Sequence, residues 1–267
     1  MSAVRWGAAL LIIWMLDIFL IEPYWVKTAR YQMACPRLRH DLRILFLSDF
    51  QLRDSAGYRE RRVLNKMSVV PFDLIAIGGD VFDTKRGMQS AIPFLAQLAK
   101  RAPAYVVLGN WEHWSHVDLS SYAQKLKRNG ATLLVNSSEI FRWHGQSIRI
   151  AGVDDPSLAK DDLAAALLPV DPNGPTILLA HAPAIFRKSA QEKIELTLAG
   201  HTHGGQVRLP FVGPLWLPPG CDGYVYGVYQ IGISRMIVTS GVGTSVLPGR
   251  FLCRPEIVLI ELHAPRS

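Results

Sequence analysis

Five apolar runs in this chain each stop at a residue whose side chain can hold a metal, and that recurrence limits the folds open to it. The stretch "ILFLSDFQ" delivers Asp49 and Gln51, and "FDLIAIGGDVFD" delivers Asp80 and Asp83. "AYVVLGN" ends at Asn110, "TILLAH" at His181, and "ELTLAGHTH" carries His201 and His203. Short apolar runs punctuated by glycine read as buried strands, and α/β sheets place ligand sites at the carboxyl ends of such strands. One aspartate after a strand is ordinarily a turn residue or a helix cap, and one histidine a satisfied core group. Five coinciding ends exceed what capping explains. Carboxylate, amide oxygen and imidazole together suit Mn, Fe, Zn or Co better than calcium. Gly79, Gly109, Gly200, Gly204 and Gly205 beside these residues let the backbone turn sharply there.

Between the polar ends the pattern alternates. Strands are expected at about 42–48, 72–79, 104–109, 131–135, 139–143, 147–153, 176–180 and 195–200, and helices at about 57–70, 88–100, 117–130 and 158–167. The helix at 117–130 is the best punctuated, with capping candidates at its start and Gly130 at its end. Past residue 205 strands crowd together with turn signals and no convincing helix. Alternation followed by a strand-rich tail indicates α/β layering, with sheets packed together and helices outside.

Residues 6–26, "WGAALLIIWMLDIFLIEPYWV", would reach about 30 Å as a helix, the thickness of a hydrocarbon core. Residues 1–26 therefore read as an uncleaved hydrophobic membrane anchor, with Tyr24 and Trp25 suited to an interfacial belt and no A-x-A cleavage site after the run. Asp17 opposes this at about 2.5–3.5 kcal/mol, which the surrounding apolar residues outweigh. Lys27, Arg30, Arg37, Arg39 and Arg43 follow the segment against Arg5 before it, which puts the body on the cytoplasmic side of an inner membrane. Residues 27–41 read as a basic linker, and 42–267 as one domain. The formal charge of +7 suits an acidic partner, either a phosphorylated substrate or an anionic membrane surface. No nucleic-acid signature accompanies it, and the three cysteines form neither a disulfide framework nor a zinc cluster.

The ordered set D-x-[H], G-D-x-x-D, G-N-[H]-[DE], H and G-H-x-H resembles the calcineurin-like metallophosphoesterase superfamily over about 42–262. "GHTHGGQVRLP" and "SGVGTSVLPGRFLCRPEIVLIEL" resemble a membrane-associated bacterial branch that includes UDP-2,3-diacylglucosamine pyrophosphatases and related phosphodiesterases. The resemblance implies a four-layer sandwich of two packed mixed β-sheets flanked by helices. It also implies two divalent metal ions, Mn favoured, bridged by Asp80. One would take Asp49, residue 51 and His203; the other Asn110, His181 and His201. Two such cations can acidify a water between them and neutralise phosphoryl oxygens. Asp83 is expected either to orient a ligand or loop, or to cap a helix.

Two positions depart from the family pattern. Gln51 stands where the family has histidine, and its neutral oxygen is a weaker donor toward zinc or iron. Trp111 stands where a histidine would contact the scissile phosphate and help the leaving group depart. The resemblance assigns catalysis to Asp80 and Asn110, with His113 or His116 a surrogate acid or His113 a plain loop residue. Trp111, Arg250 and Arg254 are candidate substrate contacts, each arginine alternatively paired structurally with an acid. The loop "RLPFVGPLWLPPG" (208–220) either closes the core or forms an apolar lip beside the site. The expected function is hydrolysis of a phosphodiester or pyrophosphate bond, on a lipid-linked substrate such as UDP-2,3-diacylglucosamine. The alternative is a catalytically weakened metal-site protein that binds a phosphorylated ligand.

Overall fold

The computed structural model of the protein describes residues 2–54, 56–168 and 174–265. One six-stranded sheet contains β1 (Lys27–Ala34), β2 (Leu42–Leu47), β3 (Leu74–Ile77), β4 (Ala104–Val106), β5 (Ala131–Leu133) and β14 (Glu256–His263), in the order β1-β14-β2-β3-β4-β5. The second contains β6 (Ser137–Trp143), β7 (Gln146–Gly152), β8 (Thr176–Leu179), β9 (Leu196–Ala199), β12 (Gly227–Ile231) and β13 (Ser234–Val238), in the order β12-β13-β9-β8-β7-β6. A short hairpin, β10 (Arg208–Leu209) and β11 (Gly213–Pro214), stands apart. Both sheets are mixed. Strands β2 to β5 run parallel and β14 pairs antiparallel with β2, while β7, β8, β9 and β13 run parallel between antiparallel edges.

Period-two alternation explains the layers. In β2, Leu45 and Leu47 face helices α2 (Tyr58–Met67), α3 (Lys85–Ala99) and α5 (Leu119–Arg128), packing with Val63, Phe94, Leu98 and Leu126. Ile44 and Phe46 point the other way, into a core shared with Ile150, Ile177, Leu179 and Leu198 of the second sheet. That sheet's far face packs Ala151 and Leu178 against Leu163, Ala166 and Ile185, from α6 (Leu163–Ala166) and the turn before α7 (Phe186–Gln191). Helix, sheet, sheet, helix: the expected four layers are present.

The N-terminal reading needs correction. No helix among the described residues is long and apolar enough to cross a membrane. Helix α1 (Ser2–Leu16) widens into a π turn at Asp17–Ile21, and Pro23 shapes a 3₁₀ turn at Glu22–Tyr24 that ends the helical path. Leu10 to Leu16 are nonetheless all exposed. The basic linker is corrected in its first half, because Lys27–Ala34 form β1, paired in parallel along the whole of β14. Alternating inward residues such as Ala29, Tyr31 and Met33 reach the inter-sheet core, a pattern masked in the sequence by Arg30 and Gln32 on the other side.

Candidate metal centre

The carboxyl ends of β2, β3, β4, β8 and β9 meet at one rim, where the backbone laces them together. Gly78 donates to the Leu47 carbonyl, Asp49 to Gly79, Val107 to Ile77 and Gly200 to His181. This brings Asp49, Asp80 and His181, all buried, within 4.8 Å of one another by their ligand atoms. Asp80 Oδ2 lies 3.2 Å from His181 Nε2. Asn110 Oδ1 is 3.1 Å from the same nitrogen, and His201 Nδ1 is 3.0 Å from it. His203 Nε2 is 3.6 Å from Asp49 Oδ1. All seven residues named as metal ligands thus converge at this rim, with Gln51 Nε2 donating to Asp80 Oδ2 at 2.9 Å.

The local backbone is strained where these side chains leave it. Asp49, Gln51, Asp80, His201 and His203 all have φ between 49° and 69°, the left-handed region. Non-glycine residues held there cost about 1–3 kcal/mol each and cluster at functional sites. Glycines make the approach possible. A Cβ on Gly109 would lie 2.2 Å from Asp80 Oδ1, and one on Gly200 would lie 2.3 Å from Asp49 Oδ2.

Charge is distributed unevenly over the cluster. Burial pushes Asp49 up to about 6, opposed by the His181 charge and reinforced by Asp80. Burial acts the same way on Asp80, yet His181 and the Trp111 N–H outweigh it and hold that carboxyl below its ordinary value. Burial disfavours a charged His181, but Asp80 and Asp49 raise it well above an ordinary imidazole. His203 is driven well below the ordinary value by burial and then by Arg250; His201 is lowered by burial and then by His181. Positive charge is thus favoured on His181, between Asp80 and Asp49, and neutral rings at His201 and His203. A divalent cation would supply the same positive charge, and neutral imidazoles are the form that ligates. Two buried polar atoms, Gln51 Oε1 and His203 Nδ1, have no hydrogen-bond partner among the described residues. Buried polar atoms without partners mark strain or a site for an ion. The donor set fits divalent metal.

Glu112 was not singled out as a site residue by sequence reasoning, although it fills the [DE] place of the G-N-[H]-[DE] motif. It fixes the cluster's backbone. Its fully buried carboxylate accepts N–H groups from Asp80 at 2.9 Å, Val81 at 2.6 Å and Gly109 at 2.8 Å. Burial and then the Asp80 charge raise its pKa, opposed by the Gly109 and Val81 N–H bonds, which favour the carboxylate.

Other assignments change with the structure. Helix α4 (Asn110–Trp114) begins at Asn110 itself. Residues two apart on a helix do not share a face, so His113 parts from Trp111. Its Nε2 bonds Asp154 Oδ1 at 2.7 Å, and it is not among the residues lining the cavity over the cluster. Trp111 does line that cavity, edge to face with Trp114 at 5.3 Å. Arg250 is fully buried and spends its guanidinium on the carbonyls of Ser240, Gly241, Gly243 and Cys253, a structural role rather than a substrate contact. Arg254 stacks 3.8 Å over Trp25 and bonds its carbonyl, beside the N-terminal turn and away from the metal cluster. Asp83 pairs with Arg53 at 2.9 Å, and the cap of α3 is Thr84 instead.

The cavity over the cluster holds about 380 Å³, walled by Asp80, Asn110, His201 and His203 on one side and by Trp111, Trp114, Trp216 and Val246 on the other. Residues 42–205 match the family model described as calcineurin-like phosphoesterase. The chain is 31% identical over 252 residues to the uncharacterized metallophosphoesterase YkuE of Bacillus subtilis (strain 168), covering 91% of this chain and 88% of that one. It is 32% identical over 249 residues to the phosphodiesterase YaeI of Escherichia coli (strain K12), covering 90% of each. Among solved structures, the 5'-nucleotidase precursor from Thermus thermophilus superposes with a TM-score of 0.46 at 14% identity, over 83% of this chain and 54% of that one. With the family model spanning more than half its length and two relatives matching nearly end to end, this chain is a hydrolase of the calcineurin-like phosphoesterase family.

Proposed function

We propose that the protein hydrolyses phosphodiester or pyrophosphate bonds using two divalent metal ions, and that its substrate is lipid-linked. The observation that carries the first part is the convergence of Asp49, Asp80 and His181 beneath an open cavity, with Asn110, His201 and His203 around them. Asp80 would be shared by the ions, with Asp49, Gln51 and His203 holding one and Asn110, His181 and His201 the other. When bound, the ions supply Lewis-acid polarisation of phosphoryl oxygens and an acidified water. The chain's own residues do the positioning. Glu112 fixes the Asp80 backbone, and the Gly78 carbonyl, 2.8 Å from His181 Nδ1, orients that ring with Nε2 toward the cluster. Gln51 presents its amide N–H to Asp80 and leaves its oxygen for a hard cation.

The walls support an apolar substrate arm. A second cavity of about 290 Å³ shares His203, Trp216, Ser245 and Val246 with the first, and Leu215, Val207 and Leu247 complete its apolar lining. Leu215 and Trp216 stay more than half exposed there, which favours the lip over the core-closing reading of that loop. An amphiphile such as UDP-2,3-diacylglucosamine would place its phosphates at the cluster and a chain in this groove. The exposed apolar α1 supports a seat at the membrane surface.

A second reading, a weakened enzyme that mainly binds a phosphorylated ligand, is favoured only by Gln51 and by His113 being committed to Asp154. Turnover of bis-p-nitrophenyl phosphate with added Mn²⁺ separates the two. Activity that EDTA removes and Mn²⁺ restores supports catalysis; tight Mn²⁺ binding without turnover would select the binder.

A further inference from the structure

We propose that Glu22, at the end of the N-terminal helical path, is a positioning residue for the metal ligands His203 and Asp49. This rests on the reading of those two residues as ligands.

Glu22 is buried, and its carboxylate reaches across 230 positions of sequence. One oxygen accepts the Leu252 N–H at 2.9 Å and the other the Cys253 N–H at 2.5 Å. The neighbouring contacts tighten the same junction. Arg250 donates its N–H to the Ile18 carbonyl, Lys27 its N–H to the Pro255 carbonyl, and Trp14 meets Phe251 edge to face at 5.3 Å. Gly249 sits so close that a Cβ there would lie 2.8 Å from the Ile18 side chain.

The segment so gripped, 250–253, holds the metal ligands from behind. Cys253 Sγ is 3.2 Å from the His203 carbonyl and 3.5 Å from that of Gly204. The Arg250 guanidinium gathers the carbonyls of Ser240, Gly241 and Gly243, while Val242 and Gly243 donate N–H groups to the Ser48 and Asp49 carbonyls. Asp49 and His203 have left-handed backbones that only surrounding structure can hold. Two routes therefore run from Glu22 to the cluster: Cys253 to His203, and Arg250 to the strap at 240–243 and on to Asp49. The N-terminal segment is part of the centre, and removing the Glu22 carboxylate loosens ligands that it never touches.

The test is Mn²⁺ affinity by calorimetry, with thermal melts alongside, for the full chain and four variants. Outer partners of metal ligands typically change affinity by about 10–100-fold; Glu22→Ala should weaken Mn²⁺ binding by about tenfold, and Glu22→Gln, which keeps one accepting oxygen, by less. Asp73→Ala is the control for a merely structural loss. Asp73 accepts three bonds from Arg43 at the amino-terminal end of β3, opposite the cluster, so this variant should melt earlier and bind Mn²⁺ normally. His203→Ala reports on the underlying reading. If His203→Ala weakens binding while both Glu22 variants bind as wild type, the positioning role is refuted. If His203→Ala itself binds as wild type, the ligand assignment is what fails.

Discussion

Glu112→Gln probes how far backbone geometry sets the metal site. The carboxylate accepts three N–H groups, two on one oxygen and one on the other, and is buried with them. Glutamine keeps the shape and one acceptor. With its oxygen on Asp80 and Gly109, its NH₂ faces the Val81 N–H, leaving both groups buried and unpaired at about 1–3 kcal/mol each. Alanine would leave three unpaired donors, about 3–9 kcal/mol by the same measure, close to the 5–15 kcal/mol of a typical domain; glutamine is the usable variant. The Asp80 backbone, at φ 51°, then loses part of its clamp. Metal affinity should fall by about 10–100-fold, the range for outer partners of ligands. Urea unfolding in EDTA measures the first effect and Mn²⁺ titration the second. Wild-type stability and wild-type affinity in Glu112→Gln would refute the clamp.

Gln51→His should tighten one metal site and shift preference toward zinc-like ions, since imidazole is the stronger donor; unchanged affinity and preference would remove residue 51 from the ligand set. Trp111→His should raise kcat/KM on alkyl phosphodiesters by up to about 10²-fold and much less on nitrophenyl esters, because general acid help matters most for poor leaving groups. His113→Ala should leave that leaving-group dependence parallel to wild type, given its bond to Asp154; a steeper dependence would restore it as the acid. Burial, opposed by Arg53, raises Asp83 from 3.8 to about 6 in the folded chain. A raised carboxyl pKa gives stability that is full below about 4 and lost as pH climbs to about 6. The Tm of Asp83→Asn minus that of wild type should therefore rise between pH 4 and pH 6, and a flat difference would contradict the burial argument.

Strands ending in Asp49, Asp80, Asn110, His181 and His201 were legible because buried parallel strands are continuous apolar runs, and their polar ends stand out against them. At the N-terminus hydropathy alone registers Ile18 and Pro23 as span residues, whereas both are buried in the fold. Nothing in local sequence tells Glu22 that its partners are residues 252 and 253. Arg250 illustrates the same limit. An arginine in a glycine-rich tail looks like a phosphate ligand until the fold closes four carbonyls around it. Trp111 and His113 parted because α4 starts at Asn110, and a five-residue helix leaves little periodic signal.

The proposed two-metal centre is tested most directly by anomalous diffraction from crystals grown in Mn²⁺. Two anomalous peaks about 3.5–4 Å apart with Asp80 between them, one beside Asp49 and His203 and the other beside Asn110, His181 and His201, are expected. A density map with no anomalous peak at this rim, or with peaks that leave Asp80 unbound, would contradict it.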